Sequence, residues 1–151
     1  MSGADALARL HAACFTDGPR AWSAAEFADL AASPGVHVLT APDALAVLRI
    51  AADEAELLTI AVAPDARRQG RAGRLLEQVA QVARAAGAVS MFLEVAQDNA
   101  AARALYARAG FGFSGQRKGY YRRAGGVRVD AVVLCRDLGT DLDTGATSRQ
   151  G

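Results

Sequence analysis

The spacing of apolar residues along this chain changes several times between a helical period and a strand-like run. Apolar side chains recur every three to four positions in a surface helix, whereas a strand shows alternation or a short continuous run. Glycine, proline, asparagine and aspartate mark the boundaries between such segments. The elements predicted in this way, in chain order, are helices 4–15 and 23–32, strands 36–40, 44–51 and 56–63, helix 70–86, strand 90–95, helix 99–109, and strands 111–115 and 127–134, the last two linked by a basic loop over 117–126.

This order of elements predicts an α/β fold, in which helices cover both faces of a mixed central sheet. The pattern places one domain over residues 1–138. Residues 139–151 are rich in Gly, Thr, Asp and Ser and have no apolar periodicity, so we expect a disordered C-terminal tail there.

Composition narrows the class of protein. The chain has 151 residues, of which 52% are hydrophobic and 22% charged, as in an ordinary soluble domain. A net charge of +1 argues against direct nucleic-acid binding driven by overall charge. No apolar run approaches the roughly 20 residues of a membrane span, and the first ten residues lack the layout of a secretory signal. We therefore expect a cytoplasmic protein without a membrane partner. The two histidines and two cysteines are too scattered for a metal site.

A loop rich in arginine and glycine joins an apolar strand to an amphipathic helix in the middle of the chain. The strand ends at Pro64, and the helix begins near Gly70. Such a junction presents backbone N–H groups and the positive end of a helix to an anion, most simply a pyrophosphate. Its spacing, Arg67-x-x-Gly70-x-Ala72, resembles the acetyl-CoA-binding signature of the GNAT N-acetyltransferases.

A second stretch carries the same resemblance. It is similar to GNAT enzymes and, more narrowly, to the bacterial RimI-type enzymes that acetylate the N-terminal α-amine of a small-subunit ribosomal protein. The resemblance covers about residues 5–138. The segments that carry it are Leu93-Glu94-Val95, Asn99, Ala104-Leu105-Tyr106 and Gly110-Phe111, together with 14–15 and 21–27, 53–58, 117–121 and 130–131.

The chain departs from the family pattern at several positions. Ala72 stands where glycine is commoner, and Arg71 stands where an apolar residue is usual. Arg122 and Arg123 follow the tyrosine pair at positions where RimI-type proteins often carry proline and small polar residues. Because the last change touches the substrate side, it bears on peptide specificity more than on chemistry.

The resemblance implies the GNAT acyl-CoA N-acyltransferase fold, acetyl-CoA as co-substrate and no metal. It implies Glu94 as general base and Tyr106 as general acid. A carboxylate within an apolar strand is partly desolvated, which disfavours its charged form and makes it a better proton acceptor. The alternatives are that Glu94 faces outward from an alternating strand and that Tyr106 is a packed aromatic. The residues expected to bind the cofactor are Ile60, Ala61, Val62, Arg67, Arg68, Gln69, Gly70, Arg71, Ala72, Gly73 and Asn99.

These features together predict an N-α-acetyltransferase whose partner is a protein N-terminus, that of a small-subunit ribosomal protein. The alternative within enzymes is a GNAT that acetylates a small-molecule amine or a lysine side chain. A third hypothesis is a non-catalytic acyl-CoA-binding module. A protein that only binds acyl-CoA would need neither Glu94 nor Tyr106. Tyr120 and Tyr121 are candidates for shaping the peptide slot, although hairpin packing would explain them equally well.

Overall fold

The computed structural model describes residues 3–14, 22–67 and 70–139. Arg68 and Gln69 of the predicted phosphate loop, and the predicted tail after residue 139, lie outside the described residues. The helices are α1 Gly3–Cys14, α2 Ala24–Ala32, α3 Arg71–Ala85 and α4 Ala100–Arg108, and the strands are β1 Val36–Ala41, β2 Ala44–Ala51, β3 Glu54–Val62, β4 Ser90–Ala96, β5 Gly112–Arg122 and β6 Arg128–Asp137.

The six strands form one mixed sheet in the order β1-β2-β3-β4-β6-β5. Only β3 and β4 run parallel, and every other neighbouring pair is antiparallel. Helices α1 and α2 cover one face, where Phe27 of α2 packs with Leu45 and Val47 of β2. Helices α3 and α4 cover the other face, where Leu76 and Val79 pack with strand residues. The predicted mixed sheet with helices on both faces is confirmed.

Local signals set the helix ends. Ser23 accepts from the backbone of Glu26, and the Glu26 carboxylate accepts from the Ser23 N–H, so the predicted capping box starts α2. The Asn99 side chain accepts from the N–H of Ala102 and caps α4. Gly110, which follows α4, has a φ of 93°, a conformation that glycine adopts without steric cost.

A bulge in β3 determines where the sheet opens. Val47 pairs with Thr59 and Leu48 pairs with Leu57, so Leu58 is an extra residue without a partner on β2. Leu58 packs among the residues that α1 and α2 cover, and Thr59 next to it bonds to a side chain of α1. Two successive residues therefore face the same side, which bends the strand.

The parallel pairing of β3 with β4 ends just before this bulge. The ladder joins residues Glu54, Ala55 and Glu56 to β4 and goes no further. Beyond Glu56 the two strands diverge, and the β4 side of the remaining part of β3 has no ladder partner on β4. A gap therefore opens in the centre of the sheet, between the two helical layers.

The prediction of a basic loop over residues 117–126 is wrong for most of its length. Strand β5 continues to Arg122 and pairs with β6, with an irregular register between Arg117 and Tyr121. The Asp130 carboxylate bridges this irregularity, because it accepts from the Gly119 N–H at 2.7 Å and from the Gln116 side chain at 2.6 Å. The polar and glycine residues of this segment show no strand-like apolar pattern, and the strand forms because it pairs with β6.

A buried histidine ties the two parts of the α1–α2 layer to β3. His11 is 2% exposed, and its Nδ1 accepts from the Trp22 N–H at 3.1 Å. The proton of the neutral ring therefore lies on Nε2, which donates to Thr59 Oγ1 at 3.0 Å. Desolvation by burial lowers the pKa of His11 to about 4, although the charge of Glu26 opposes this shift.

This histidine predicts a loss of stability in mild acid. The unfolded chain protonates His11 below its ordinary pKa of about 6.5, whereas the folded protein resists protonation until about pH 4. The free energy of unfolding should fall by roughly 2 kcal/mol between pH 7 and pH 5 because of this one group. Urea unfolding of wild type and His11→Gln at several pH values measures this decrease. The variant should be less stable than wild type at pH 7, and its free energy of unfolding should fall less on acidification. Parallel pH curves for the two proteins would contradict the prediction.

Candidate active site

A groove of about 450 Å³ lies between the end of β3, the start of α3 and helix α4. It begins where β3 has left β4, so the split in the sheet forms one of its walls. Of the residues predicted to bind cofactor or to act in catalysis, it brings together Ile60, Ala61, Val62, Arg67, Gly70, Arg71, Ala72, Gly73, Asn99 and Tyr106.

The start of α3 forms the polar end of this groove. Gly70, its N-cap residue, has a φ of 74° and provides no capping side chain. The first N–H groups of an α-helix have no acceptor within the helix, and those of Ala72 and Gly73 belong to this turn. Together with the helix dipole they create a site suited to phosphate oxygens.

Two arginines at the groove hold the loop in place. Arg67 Nε donates to the Val62 carbonyl at 3.0 Å, and Arg71 Nη1 donates to the Pro42 carbonyl at 2.8 Å. The first bond ties the loop to the end of β3, and the second ties the start of α3 to the β1–β2 turn. Both side chains line the groove.

Tyr106 lies on α4 and lines the groove with its mostly buried side chain. Its ring packs edge-on against Phe111, with the centroids 5.8 Å apart. Burial, followed by the charge of Tyr121, raises the pKa of Tyr106 to about 12. The phenol therefore keeps its proton throughout the physiological range, and it can act as a hydrogen-bond or proton donor.

Glu94 lies on the other side of the sheet from the groove. Leu93 and Val95 point into the core beneath α3 and α4, so the alternation of β4 directs Glu94 to the opposite face. Its side chain is 19% exposed, with Oε2 2.9 Å from Arg117 Nε. That contact is an ion pair by distance, but it lacks hydrogen-bond alignment, and buried Oε2 has no hydrogen-bond partner within the described part of the chain.

Tyr121 connects the two candidate catalytic groups. Burial raises the pKa of Tyr121 to about 12, with further raising contributions from the charges of Glu94 and Tyr120. The charge of Tyr121 in turn contributes to the raised pKa of Tyr106. Tyr121 is therefore within electrostatic range of both Glu94 and Tyr106, although the three residues come from β4, α4 and β5. Its ring packs edge-on against that of Tyr120, with the centroids 5.1 Å apart.

Sequence reasoning missed the polar partners around these three groups. Arg117 pairs with Glu94 and stacks over the Tyr120 ring, 5.2 Å from its centroid. Arg123 pairs with Asp98 at 2.7 Å. The clustering of arginines around the tyrosine pair was the signal available, but their partners lie on β4 and just after it, which the spacing along the chain does not reveal.

The residues present fit a long ligand with phosphate at one end. N–H groups and two guanidinium groups suit the phosphates, while Ile60, Ala61, Ala102 and Leu105 offer an apolar wall to an aliphatic arm. Among the described residues, no group of three or more His, Cys, Asp or Glu side chains could hold a metal ion. Within the same part of the chain, no helix has the length and apolar character to cross a membrane.

Comparison with known proteins agrees with this geometry. The acetyltransferase (GNAT) family matches residues 5–111. This chain belongs to the GNAT family. The fold of this GNAT protein resembles the crystal structure of the ribosomal-protein-S18-alanine N-acetyltransferase from Escherichia coli, with a TM-score of 0.80 and 30% identity, over 93% of this chain and 92% of that one.

Two curated relatives share higher identity over shorter stretches. The ribosomal protein bS18-alanine N-acetyltransferase of Salmonella typhimurium is 41% identical over 99 residues, or 64% of this chain and 66% of that protein. The N-alpha-acetyltransferase RimI of Mycobacterium tuberculosis is 43% identical over 86 residues, or 57% of this chain and 51% of that protein. The matched region thus spans less than two thirds of either relative.

Replacing either of two glycines at the groove should affect stability and CoA affinity in different ways. Gly70→Ala forces a Cβ onto a backbone with a φ of 74°, which should cost about 1–2 kcal/mol of stability. Gly73→Ala meets no atom within 4 Å and should stabilise α3 by up to about 1 kcal/mol. Its methyl group would nevertheless crowd phosphates on the first-turn N–H groups, so CoA affinity should fall by about tenfold.

Thermal unfolding and calorimetric titration with CoA measure the two effects, with Gly87→Ala as the control. Gly87 also has a positive φ, but it follows the far end of α3, so it should lose stability without losing CoA affinity. A Gly73→Ala variant that binds CoA as tightly as wild type would contradict the assignment of this turn.

Proposed function

We propose that this chain is a cytoplasmic, acetyl-CoA-dependent N-α-acetyltransferase that modifies the N-terminal amine of a small-subunit ribosomal protein. The observation that carries the proposal is the opening of the sheet between β3 and β4. A groove with phosphate-binding features lies on one face of it, and a nearly buried carboxylate lies on the other. The similarity to enzymes named for ribosomal protein bS18 supports the choice of acceptor.

The cofactor side of the proposed site follows from the groove. When bound, acetyl-CoA supplies the acetyl group as a thioester. The turn over residues 70–73 and the charges of Arg67 and Arg71 hold its phosphates. The end of β3, over residues 60–62, lines the groove and makes no ladder with β4. One N–H of this segment donates to the thioester carbonyl and stabilises the charge that develops on its oxygen.

The acceptor side uses Glu94. Its carboxylate takes a proton from the acceptor ammonium, so that the nitrogen lone pair can attack the carbonyl carbon. The nitrogen–carbon bond forms as the carbon–sulfur bond breaks. Tyr106 lies at the groove with its phenol protonated, and it gives that proton to the departing sulfur. The nitrogen loses its second proton as the carbon–sulfur bond breaks, and this proton returns to the Tyr106 phenolate through solvent. The net change is one proton gained by Glu94, which then releases it to solvent.

The chemistry of the amine favours an N-terminus as acceptor. An α-amine has an ordinary pKa of about 7.7–8.0, whereas that of a lysine side chain is about 10.4. Deprotonating lysine at neutral pH therefore costs roughly 3 kcal/mol more. A single carboxylate that is paired with Arg117 suits the less demanding amine.

We expect Glu94→Gln and Tyr106→Phe to lose turnover and to retain cofactor affinity. Each substitution keeps the shape of the side chain and removes one proton-transfer group, so kcat should fall by about 100-fold or more. Steady-state kinetics and calorimetric titration with CoA measure the two quantities. Glu77→Gln is the matched control, because Glu77 pairs with Arg136 and does not line the groove. Wild-type turnover in both test variants would exclude this mechanism and favour a different base and acid.

The acceptor class is tested by thiol release from acetyl-CoA with two matched peptides. One has a free N-terminal alanine and no lysine, and the other has a blocked N-terminus and one internal lysine. We expect turnover with the first peptide alone. Turnover with the second alone would overturn the N-α-acetyltransferase proposal. Turnover with neither, when CoA still binds, would point to a small-molecule amine or to a non-catalytic acyl-CoA-binding module.

A further inference from the structure

The far end of the β5–β6 hairpin is bonded to the start of α4. Arg123, just after β5, donates from Nη2 to Asp98 Oδ1 at 2.7 Å. The Arg123 side chain is only 18% exposed, whereas that of Asp98 is 53% exposed. Asp98 directly precedes Asn99, the cap residue of α4. This ion pair therefore joins two elements that are 25 residues apart in the chain.

Both ends of this ion pair are held rigidly. The Arg123 N–H donates to the Val127 carbonyl at 2.7 Å, which closes the hairpin turn. On the other side, Arg103 of α4 donates to the Gln97 carbonyl at 3.1 Å, and the Gln97 N–H donates to the Asp130 carbonyl. The Arg123–Asp98 ion pair therefore fixes the direction of the Arg123 side chain.

Tyr121 lies beside this ion pair, because the Arg123 guanidinium is 5.9 Å from the centroid of its ring. The Tyr121 ring also packs edge-on against Tyr120, and Arg117, which pairs with Glu94, lies over the Tyr120 ring. Loss of Arg123 would remove one of these contacts from a tyrosine on β5, whose pairing with β6 is irregular up to Tyr121.

The arginine occupies this position at a cost. Its Nη1 is buried and has no hydrogen-bond partner among the described residues. An unsatisfied buried donor is unfavourable, so the placement is not explained as an optimised stabilising contact. The buried position of Arg123 therefore calls for another explanation than stability alone.

We propose that Arg123 is a positioning residue, whose ion pair with Asp98 fastens the hairpin to the start of α4 and holds the Tyr121 ring in place on the acceptor side. This inference rests on the proposed function for its effect on catalysis, but the positioning of Tyr121 does not depend on it. Arg123 acts through Tyr121 and does not itself contact the reacting atoms.

The kinetic test compares two arginines that form ion pairs. Arg123→Ala should raise the KM for the acceptor peptide by about 5- to 10-fold, with a smaller change in kcat and unchanged CoA affinity. Arg136→Ala is the matched control, because Arg136 does not line the groove and its ion pair with Glu77 is similarly buried, with the two side chains 16% and 52% exposed. Asp98→Ala should match Arg123→Ala, and the double variant should be no worse than either single one. Additive effects, or equal KM values in the Arg136 and Arg123 variants, would overturn the proposal.

A second readout does not require turnover. NMR titration of ¹³Cζ-labelled tyrosine, with Tyr121→Phe for assignment, follows the Tyr121 phenol in wild type and variants. Burial raises the pKa of Tyr121, and the Arg123 charge opposes that increase. If Arg123 holds the ring in place, Arg123→Ala exposes Tyr121 and lowers its pKa toward about 10. If Arg123 contributes charge alone, the pKa instead rises or stays unchanged.

The two readouts separate the possible failures. A raised KM with a Tyr121 pKa that does not fall would mean that Arg123 contacts the acceptor directly, which overturns a positioning role. If wild type shows no turnover, the proposed function fails, and the titration alone decides whether Arg123 positions Tyr121. Should Arg123→Ala not fold, Asp98→Asn breaks the same ion pair without removing the arginine, and it should lower the Tyr121 pKa in the same way.

Discussion

The early end of the β3–β4 ladder is the constraint on which the site depends. Parallel pairing stops at Glu56, and the bulge at Leu58 then turns the rest of β3 away from β4. Central strands of a sheet normally satisfy each other's backbone groups, so an opening here leaves polar backbone groups available in the middle of the fold. The groove begins at this opening, and its walls are the diverging strand and α4.

The opening also gives the site two faces. The groove lies on the side covered by α3 and α4, whereas Glu94 points to the side covered by α1 and α2. A cofactor and an acceptor could therefore approach from opposite sides and meet at the gap. In the proposed mechanism, Tyr106 on α4 and Glu94 on β4 need no direct contact, because each acts on a different reactant.

The arginines on the two faces have different partners. On the groove side, Arg67 and Arg71 each donate to a backbone carbonyl, which fixes the direction of their side chains. On the opposite face, Arg117 and Arg123 are each paired with a carboxylate. Between α1 and β3, the neutral His11 makes a side-chain hydrogen bond without adding a buried charge.

The sequence by itself determined the elements whose signals are local. The Ser23–Glu26 box and the Asn99 cap act within a few residues, and the structure confirms the helix starts that they predict. The glycine after each of α3 and α4 has a positive φ, as expected for a residue that ends a helix. The arginine–glycine loop and its place between a strand and a helix were equally readable, as was the GNAT family itself. Most of the residues predicted to line the cofactor groove do line it.

Only the tertiary structure decided the features that depend on pairing between distant segments. The bulge at Leu58 follows from register with β2, and the extension of β5 through Arg122 follows from pairing with β6 and from the Asp130 carboxylate. The pairs Arg117–Glu94 and Arg123–Asp98 likewise bring together residues from separate elements. No periodicity encodes such contacts, because their energy depends on the distance between segments in space and not on their spacing along the chain.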